Sequence, residues 1–275
     1  EEIRDRLYAN ALVLESGDGT RVCLLSLDLL ACTCDCSAKV RHRISDKLGI
    51  APEAVILHVV QNHAAPALGH FFLSGDITCF PDAYPWLKGG DDAYESTALD
   101  KCVDAAAEAA GRLKPVSAHA GRAIDGRVAF NRRMVLRDGT ARTHGGTCKP
   151  DVLHVEGPAD PEVGVVTFSG RDGDVVAALL HHTCHPCHGF PNRYVIGDWP
   201  GAWAQTMRSH WGQQCVPLVI NGCCGNIHHK NHIVPGFKSE YHEVAQMLAE
   251  STHTAIERAE PLPPTELRVE QTVLS

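Results

Sequence analysis

Two stretches of this chain run through the same order of local signals, and that recurrence constrains the fold more than any other feature. In the first, apolar, β-branched runs at 8–15 and 21–28 flank Ser16-Gly17-Asp18-Gly19, a hairpin signal. A helix is expected over 37–48, where Val40, Ile44 and Leu48 recur every four residues and Gly49 supplies a C-terminal stop. The largely apolar run 54–60 then predicts a buried strand, which ends in Gln61-Asn62-His63-Ala64-Ala65-Pro66. In the second stretch, runs at 163–169 and 174–180 flank Gly170-Arg171-Asp172-Gly173. A helix from Pro200 sets Trp203, Met207 and Trp211 on one face, and a buried strand at 216–220 ends in Asn221-Gly222-Cys223-Cys224-Gly225-Asn226. The stretches share an order of elements without residue-level identity. The implied fold class is α/β: a mixed β-sheet with packed helices, built from two hairpin–helix–strand halves, with polar turns where strands end.

The remaining elements fill in around this plan. A helix is expected at 96–113, closed by Pro115, then strands at 117–124 and 127–136, a connection at 138–156, a helix at 240–259 and a last strand at 266–274. Residues 68–92 carry Gly, Pro, Asp and aromatics without periodicity and read as a long loop, of the kind that forms site walls and lids. With 275 residues, 44% hydrophobic and 21% charged, the chain is long enough for one large domain or two small ones, and for a sizeable core. A net charge of −8 argues against a nucleic-acid partner, which would need a basic face, and Asn131-Arg132-Arg133 is the one local basic patch singled out. No apolar run approaches the roughly 20 residues of a transmembrane helix. The acidic start, EEIRDRLYAN, is no signal peptide. The 12 cysteines sit in a chain too long and too core-rich for a disulfide scaffold, so they are read as reduced thiols in a cytoplasmic setting.

Candidate chemistry concentrates at the strand ends. In His181-His182-Thr183-Cys184-His185-Pro186-Cys187-His188, an extended backbone would put His181 and His185 on one face but roughly 13 Å apart, at about 3.3 Å per residue. That is too far for one ion, so a single histidine of the run serves a given site. His185 is the candidate, because Pro186 ends the strand there, whereas His181 and His182 are expected in the strand body. His63 stands at the matching end of the first buried strand. His228 and His229 follow a turn whose successive N–H groups could form an anion nest. Arg132, within Asn131-Arg132-Arg133, suits a bidentate clamp on an oxyanion. Two cysteine readings stay open at this point. One is a zinc tetrad from Cys184, Cys187, Cys223 and Cys224, although adjacent cysteines chelate one ion poorly. The other is a nucleophile at Cys223 or Cys224 with His185 as base.

One ordered set of segments carries a family resemblance. It comprises Leu7-Tyr8-Ala9-Asn10-Ala11-Leu12-Val13-Leu14, His63-Ala64-Ala65-Pro66, Asn131-Arg132, Asp160-Pro161-Glu162-Val163-Gly164-Val165, Cys184-His185-Pro186, Gly197-Asp198-Trp199-Pro200-Gly201 and Asn221-Gly222-Cys223-Cys224-Gly225-Asn226. In that order these resemble the neutral/alkaline non-lysosomal ceramidase family, from about residue 5 to 270. The resemblance implies a single ceramidase-like catalytic domain over 1–275, incomplete at both ends. It also implies a zinc-dependent hydrolase of a linear amide (N-acyl) or related bond, acting on a small-molecule or lipid-like amide substrate. By the same resemblance His185 matches a zinc ligand, and His63 the second histidine of a His-Thr-His-Ser-Gly-Pro motif, which contacts substrate. Gln61 occupies the position of that motif's ligating histidine, so His63 is a candidate for both metal and catalytic roles. Arg132 matches a substrate-contacting arginine, and His228 stands where the family has a catalytic serine and is expected to shuttle a proton. Gln61, Asn131 and Asn226 are expected to contact substrate. The family's glutamate and tyrosine ligands fall C-terminal to the residues present. The alternative is a non-catalytic ceramidase-like binding protein with a degenerate metal site.

Overall fold

The computed structural model describes residues 2–70, 89–144, 149–263 and 266–272. After a short β1 (Glu2–Ile3), the first hairpin forms as β2 (Ala9–Glu15) and β3 (Arg21–Leu27), antiparallel from Ala9 opposite Leu27 to Glu15 opposite Arg21. Asp18 ties the turn by accepting from the Ser16 and Thr20 hydroxyls and the Thr20 amide. Gly19, at φ 86°, takes the left-handed backbone that a side chain would strain. Helix α1 (Cys34–Leu48) is capped by the Thr33 hydroxyl and stopped by left-handed Gly49. It delivers the chain to β4 (Val55–Val59), parallel to β3.

Next come α2 (Asp92–Gly111), β5 (Ser117–Ile124), β6 (Phe130–Asn131), β7 (Arg133–Leu136), β8 (Ala141–Thr143) and β9 (Val152–Val155). The second half repeats the plan of the first. Strands β10 (Glu162–Ser169) and β11 (Val175–His182) pair antiparallel. After β12 (Tyr194–Val195), helix α3 (Asp198–Trp211) crosses to β13 (Val216–Asn221), parallel to β11. Strand β14 (Ile227–His228), helix α4 (Tyr241–Glu257) and β15 (Glu260–Pro261) follow.

Each half carries its own mixed sheet, ordered β2-β3-β4 in the first and β13-β11-β10-β5-β15 in the second. The period-2 alternation of the strands decides how they stack. Leu12, Phe168, Ala177 and Leu218 meet between the sheets, with Leu14, Leu24, Val166 and Leu179 against them. The opposite face of the first sheet packs Ala11, Val13, Leu25 and Leu27 on Val40 and Ile44 of α1 and Leu99 and Ala106 of α2. The opposite face of the second packs Val165, Leu180 and Val219 on Trp199, Trp203 and Met207 of α3 and Val244 and Leu248 of α4. The result is four layers, helix–sheet–sheet–helix. Ser26, buried in β3, donates from its hydroxyl to the Val219 carbonyl at 2.7 Å and joins the sheets. Among the described residues, no helix is long and apolar enough to cross a membrane.

The α/β class and the two hairpin–helix–strand halves are thus the observed architecture, and several local expectations are corrected. The strand expected over 127–136 breaks at Arg132 into β6, paired with β14, and β7, which belongs to a separate sheet ordered β8-β7-β9. Strands β8 and β9 lie in what reads as a plain connection, because each is short, with β8 wholly exposed and β9 partly so, and neither shows an apolar period. No strand forms over 266–272; the outer edge of β5 is instead taken by Glu260–Pro261. Helix α2 begins at Asp92, inside the expected long loop, because Asp91 caps it by accepting from the Tyr94 amide at 2.9 Å. The rest of that loop, 71–88, lies outside the described residues.

Candidate metal and active site

The carboxyl ends of β4, β11 and β13 converge, and the buried side chain of Asn221 fastens them together. Its Oδ1 accepts from the Cys184 amide at 3.2 Å and its Nδ2 donates to the Val60 carbonyl at 2.9 Å. Its own amide donates to His58 Nε2 at 3.0 Å. Asn62 fastens the next layer, donating to the Ile196 carbonyl at 2.6 Å while its Oδ1 receives the Ala64 amide. The His63 amide then donates to the Pro186 carbonyl at 2.9 Å, which brings the two histidine-bearing loops edge to edge.

There His63 Nε2 and His185 Nε2 stand 2.7 Å apart. The Nδ1–H of His185 donates to the Cys224 carbonyl at 2.9 Å, so its Nε2 carries the lone pair and points at His63. One proton fills the space between the rings. Burial, and after it the neighbouring Arg132 cation, lowers the His185 pKa; burial, the other ring and Arg132 lower that of His63. Two imidazole nitrogens aimed at a space that a single proton occupies suit a cation, and they would supply two of the four places of a tetrahedral zinc. His63 and His185 therefore fit the implied metal as two of its ligands. Gln61 does not join them. With its backbone at φ 65°, its Oε1 turns to the Cys224 thiol, which donates to it at 3.0 Å. It lines a separate cleft of about 320 Å³ with Val59, Asn221 and Cys223.

Arg132 sits at the break between β6 and β7, and its amide is held by the Asn226 carbonyl. Its guanidinium donates twice to the Gly225 carbonyl, at 3.1 and 2.6 Å, and once to His144 Nε2 at 3.2 Å. Among the described residues, two of its five N–H groups remain for an oxyanion. The turn Gly222–Asn226 therefore shows its carbonyls to Arg132 and His185. Asn131 is buried, its Oδ1 accepting the Arg133 amide at 2.9 Å and its Nδ2 on the Pro158 carbonyl, so it braces the bend that aims Arg132.

Around this pair lies a basin of further histidines, of which the sequence singled out His228 and His229 but not His144, His188 or His232. His144, at φ 56°, places Nδ1 3.4 Å from His232 Nε2. His188 donates from Nδ1 to buried Asp198 at 2.7 Å and stacks on His229 with ring centroids 3.6 Å apart. Cys187 Sγ lies 3.4 Å from His228 Nε2 and 3.6 Å from His229 Nδ1. Burial, reinforced by the surrounding imidazoles, drives the His228 pKa to about 2 and that of His229 to about 3. A ring held this far below the usual imidazole range is neutral near pH 7, with Nε2 facing Cys187 Sγ and Nδ1 accepting from the Lys230 amide.

The other sequence readings resolve on geometry. His182 is fully buried in β11 with Nδ1 donating to the Glu162 carbonyl at 3.0 Å, as a strand-body residue should be. The Cys184–Cys187–Cys223–Cys224 tetrad does not form, because Cys184 is buried with its thiol on the Val128 carbonyl and Cys223 is exposed. Nor is Cys224 paired with His185 as a nucleophile, since that ring meets the Cys224 carbonyl and not its sulfur.

The sequence matches no protein-family model and no curated protein. Two solved structures share the fold. The neutral ceramidase from Pseudomonas aeruginosa superposes with a TM-score of 0.72 at 18% identity, over 94% of this chain and 41% of that one. A ceramidase complexed with C2 superposes with a TM-score of 0.74 at 19% identity, over 94% of this chain and 40% of that one. This chain therefore has the fold of a segment of the neutral ceramidases, and it spans about two fifths of their length.

Proposed function

We propose that residues 1–275 form the catalytic part of a ceramidase-like, metal-dependent hydrolase of linear amides (N-acyl bonds). The observation that carries this reading is the convergence of His63 Nε2 and His185 Nε2, with the Arg132 guanidinium beside them. His63 and His185 would hold zinc. A zinc ion held there would supply Lewis-acid polarisation of a carbonyl oxygen and would lower the pKa of a water toward about 7. The chain's own groups do the rest. The Cys224 carbonyl fixes the His185 tautomer, the Gly225 carbonyl fixes the orientation of Arg132, and the remaining guanidinium N–H groups hold negative charge developing on the substrate oxygen. The fold shared with ceramidases supports a lipid-like amide as substrate. The ten described cysteines are free thiols, which supports a reducing, cytoplasmic setting.

The test is hydrolysis of N-acyl amides of graded chain length by purified, zinc-loaded protein. Arg132→Ala is expected to lower kcat by roughly 10²–10³, the range for removal of a pre-aimed oxyanion donor. His185→Ala is expected to abolish turnover. Wild-type protein that binds these amides but does not cleave them would overturn the proposal in favour of a binding protein.

A further inference from the structure

The sulfur of Cys187 and the imidazoles of His229 and His228 come together from two different loops, beside the His63–His185 pair but not part of it. One nitrogen or sulfur from each lies within 4.8 Å of the others. All three residues are half-buried, close enough to the surface for an ion to enter. The chemistry at His229 points to a ligand. Its Nδ1 faces Cys187 Sγ at 3.6 Å, placing a ring nitrogen and the sulfur toward one point. Behind it, the His188 ring stacks on His229 and is itself held by the buried carboxylate of Asp198 and by Ser239, so the His229 plane cannot swing away. His228 presents Nε2 to the same sulfur at 3.4 Å, with Nδ1 accepting from the Lys230 amide. To ligate through Nε2 it gives up that one hydrogen bond, so Cys187 and His229 are the primary pair and His228 completes the set.

We propose that Cys187, His229 and His228 form a second metal site, selective for a borderline-to-soft divalent ion such as Zn²⁺ and separate from the His63–His185 pair. One thiolate and two imidazoles make a donor set with a fourth position open to water, whereas hard ions such as Mg²⁺ and Ca²⁺ prefer oxygen. Binding displaces the Cys187 thiol proton to solvent, so the metal–sulfur bond forms as the S–H bond is lost and charge balances. The two sites are two residues apart in the chain: the His185 ring faces His63, and Cys187 faces His228 and His229.

Cobalt is the probe, because a Co²⁺–thiolate bond has a ligand-to-metal charge-transfer absorption that imidazole and oxygen ligation lack. Metal-free protein titrated with Co²⁺ is expected to develop that band at one equivalent per chain. The band should be lost in Cys187→Ser and His229→Ala, and its affinity should weaken about tenfold or more in His228→Ala. It should survive in His63→Ala and His185→Ala, which separates this proposal from the hydrolase reading. Absence of the band in the wild type, or its persistence in Cys187→Ser, overturns the site. Should Cys187→Ser fail to fold, wild-type protein reads the same question: Zn²⁺ is expected to block iodoacetamide labelling of Cys187, mapped by mass spectrometry. Equal labelling with and without Zn²⁺ overturns it.

Discussion

Single side chains set the geometry of this site, and Asn221 does the most. Three strand ends depend on its amide, through the Val60 carbonyl, the Cys184 amide and the Cys224 sulfur in the turn that follows β13. Asn221→Leu keeps the volume but strands a buried carbonyl and a buried amide. The expected cost is about 2–4 kcal/mol of stability, at roughly 1–3 kcal/mol per unsatisfied group, read as a lower midpoint in urea unfolding. An unchanged midpoint would show that the strand ends hold without it. At this scale the sequence was only half legible. His185 and His63 could be picked out as strand-end histidines, and their meeting is the observed one. That Gln61 turns to Cys224, and that Asn131 braces backbone, depends on a left-handed φ and on contacts far apart in sequence, for which local pattern carries no signal.

At the scale of elements, local chemistry spoke clearly wherever a turn or cap is built from neighbouring residues. Both hairpins, the α1 stop at Gly49 and the buried strand β13 follow from short-range rules, whereas β4 forms where expected but as the edge of its sheet, with Val55 buried and Ile56 exposed. What stayed hidden are pairings chosen by distant partners: the break at Arg132 joins β6 to β14, and the Glu260–Pro261 edge depends on β5 being open there. The α4–β5 contact also rests on one missing side chain. A Cβ on Gly121 would stand 1.9 Å from the Ala255 carbonyl and 3.1 Å from the Ala259 Cα, both backbone atoms that cannot rotate aside. Gly121→Ala should therefore push α4 off the second sheet and cost about 1–3 kcal/mol, measured as a fall in Tm. An unchanged Tm would mean that α4 is not seated as described.

The whole molecule keeps an unusual number of histidines uncharged. His63, His144, His182, His185, His228, His229 and His232 all have pKa values lowered, with burial the largest cause at each. The unfolded chain binds protons at these rings below about pH 6.5 while the folded chain does not, so stability present above that pH is lost on acidification. Buried Asp28 has the opposite sign. Burial raises its pKa to about 7, so between about pH 4 and 7 the unfolded chain releases a proton the folded chain keeps, and stability falls as pH rises. The histidines outnumber it, and wild-type unfolding free energy is expected to drop from pH 7 to pH 5. Asp28→Asn, which keeps an acceptor for the Tyr8 amide, is expected to add on the order of 2–4 kcal/mol at pH 8 and little at pH 4. A gain equal at both pH values would contradict the buried, proton-retaining Asp28.

The four-layer fold has a simple logic: two hairpin–helix–strand units back their sheets against each other and bring their parallel-strand ends to one place. That place is where His63 and His185 meet, and everything proposed about hydrolysis depends on a metal there. A crystal of the zinc-loaded protein, with diffraction measured at the zinc edge, tests it directly. The account predicts an anomalous peak about 2.0–2.1 Å from both Nε2 atoms, the rings parted by the ion that replaces their shared proton. A zinc-loaded crystal with no peak there, and the two rings still hydrogen-bonded to each other, would contradict it.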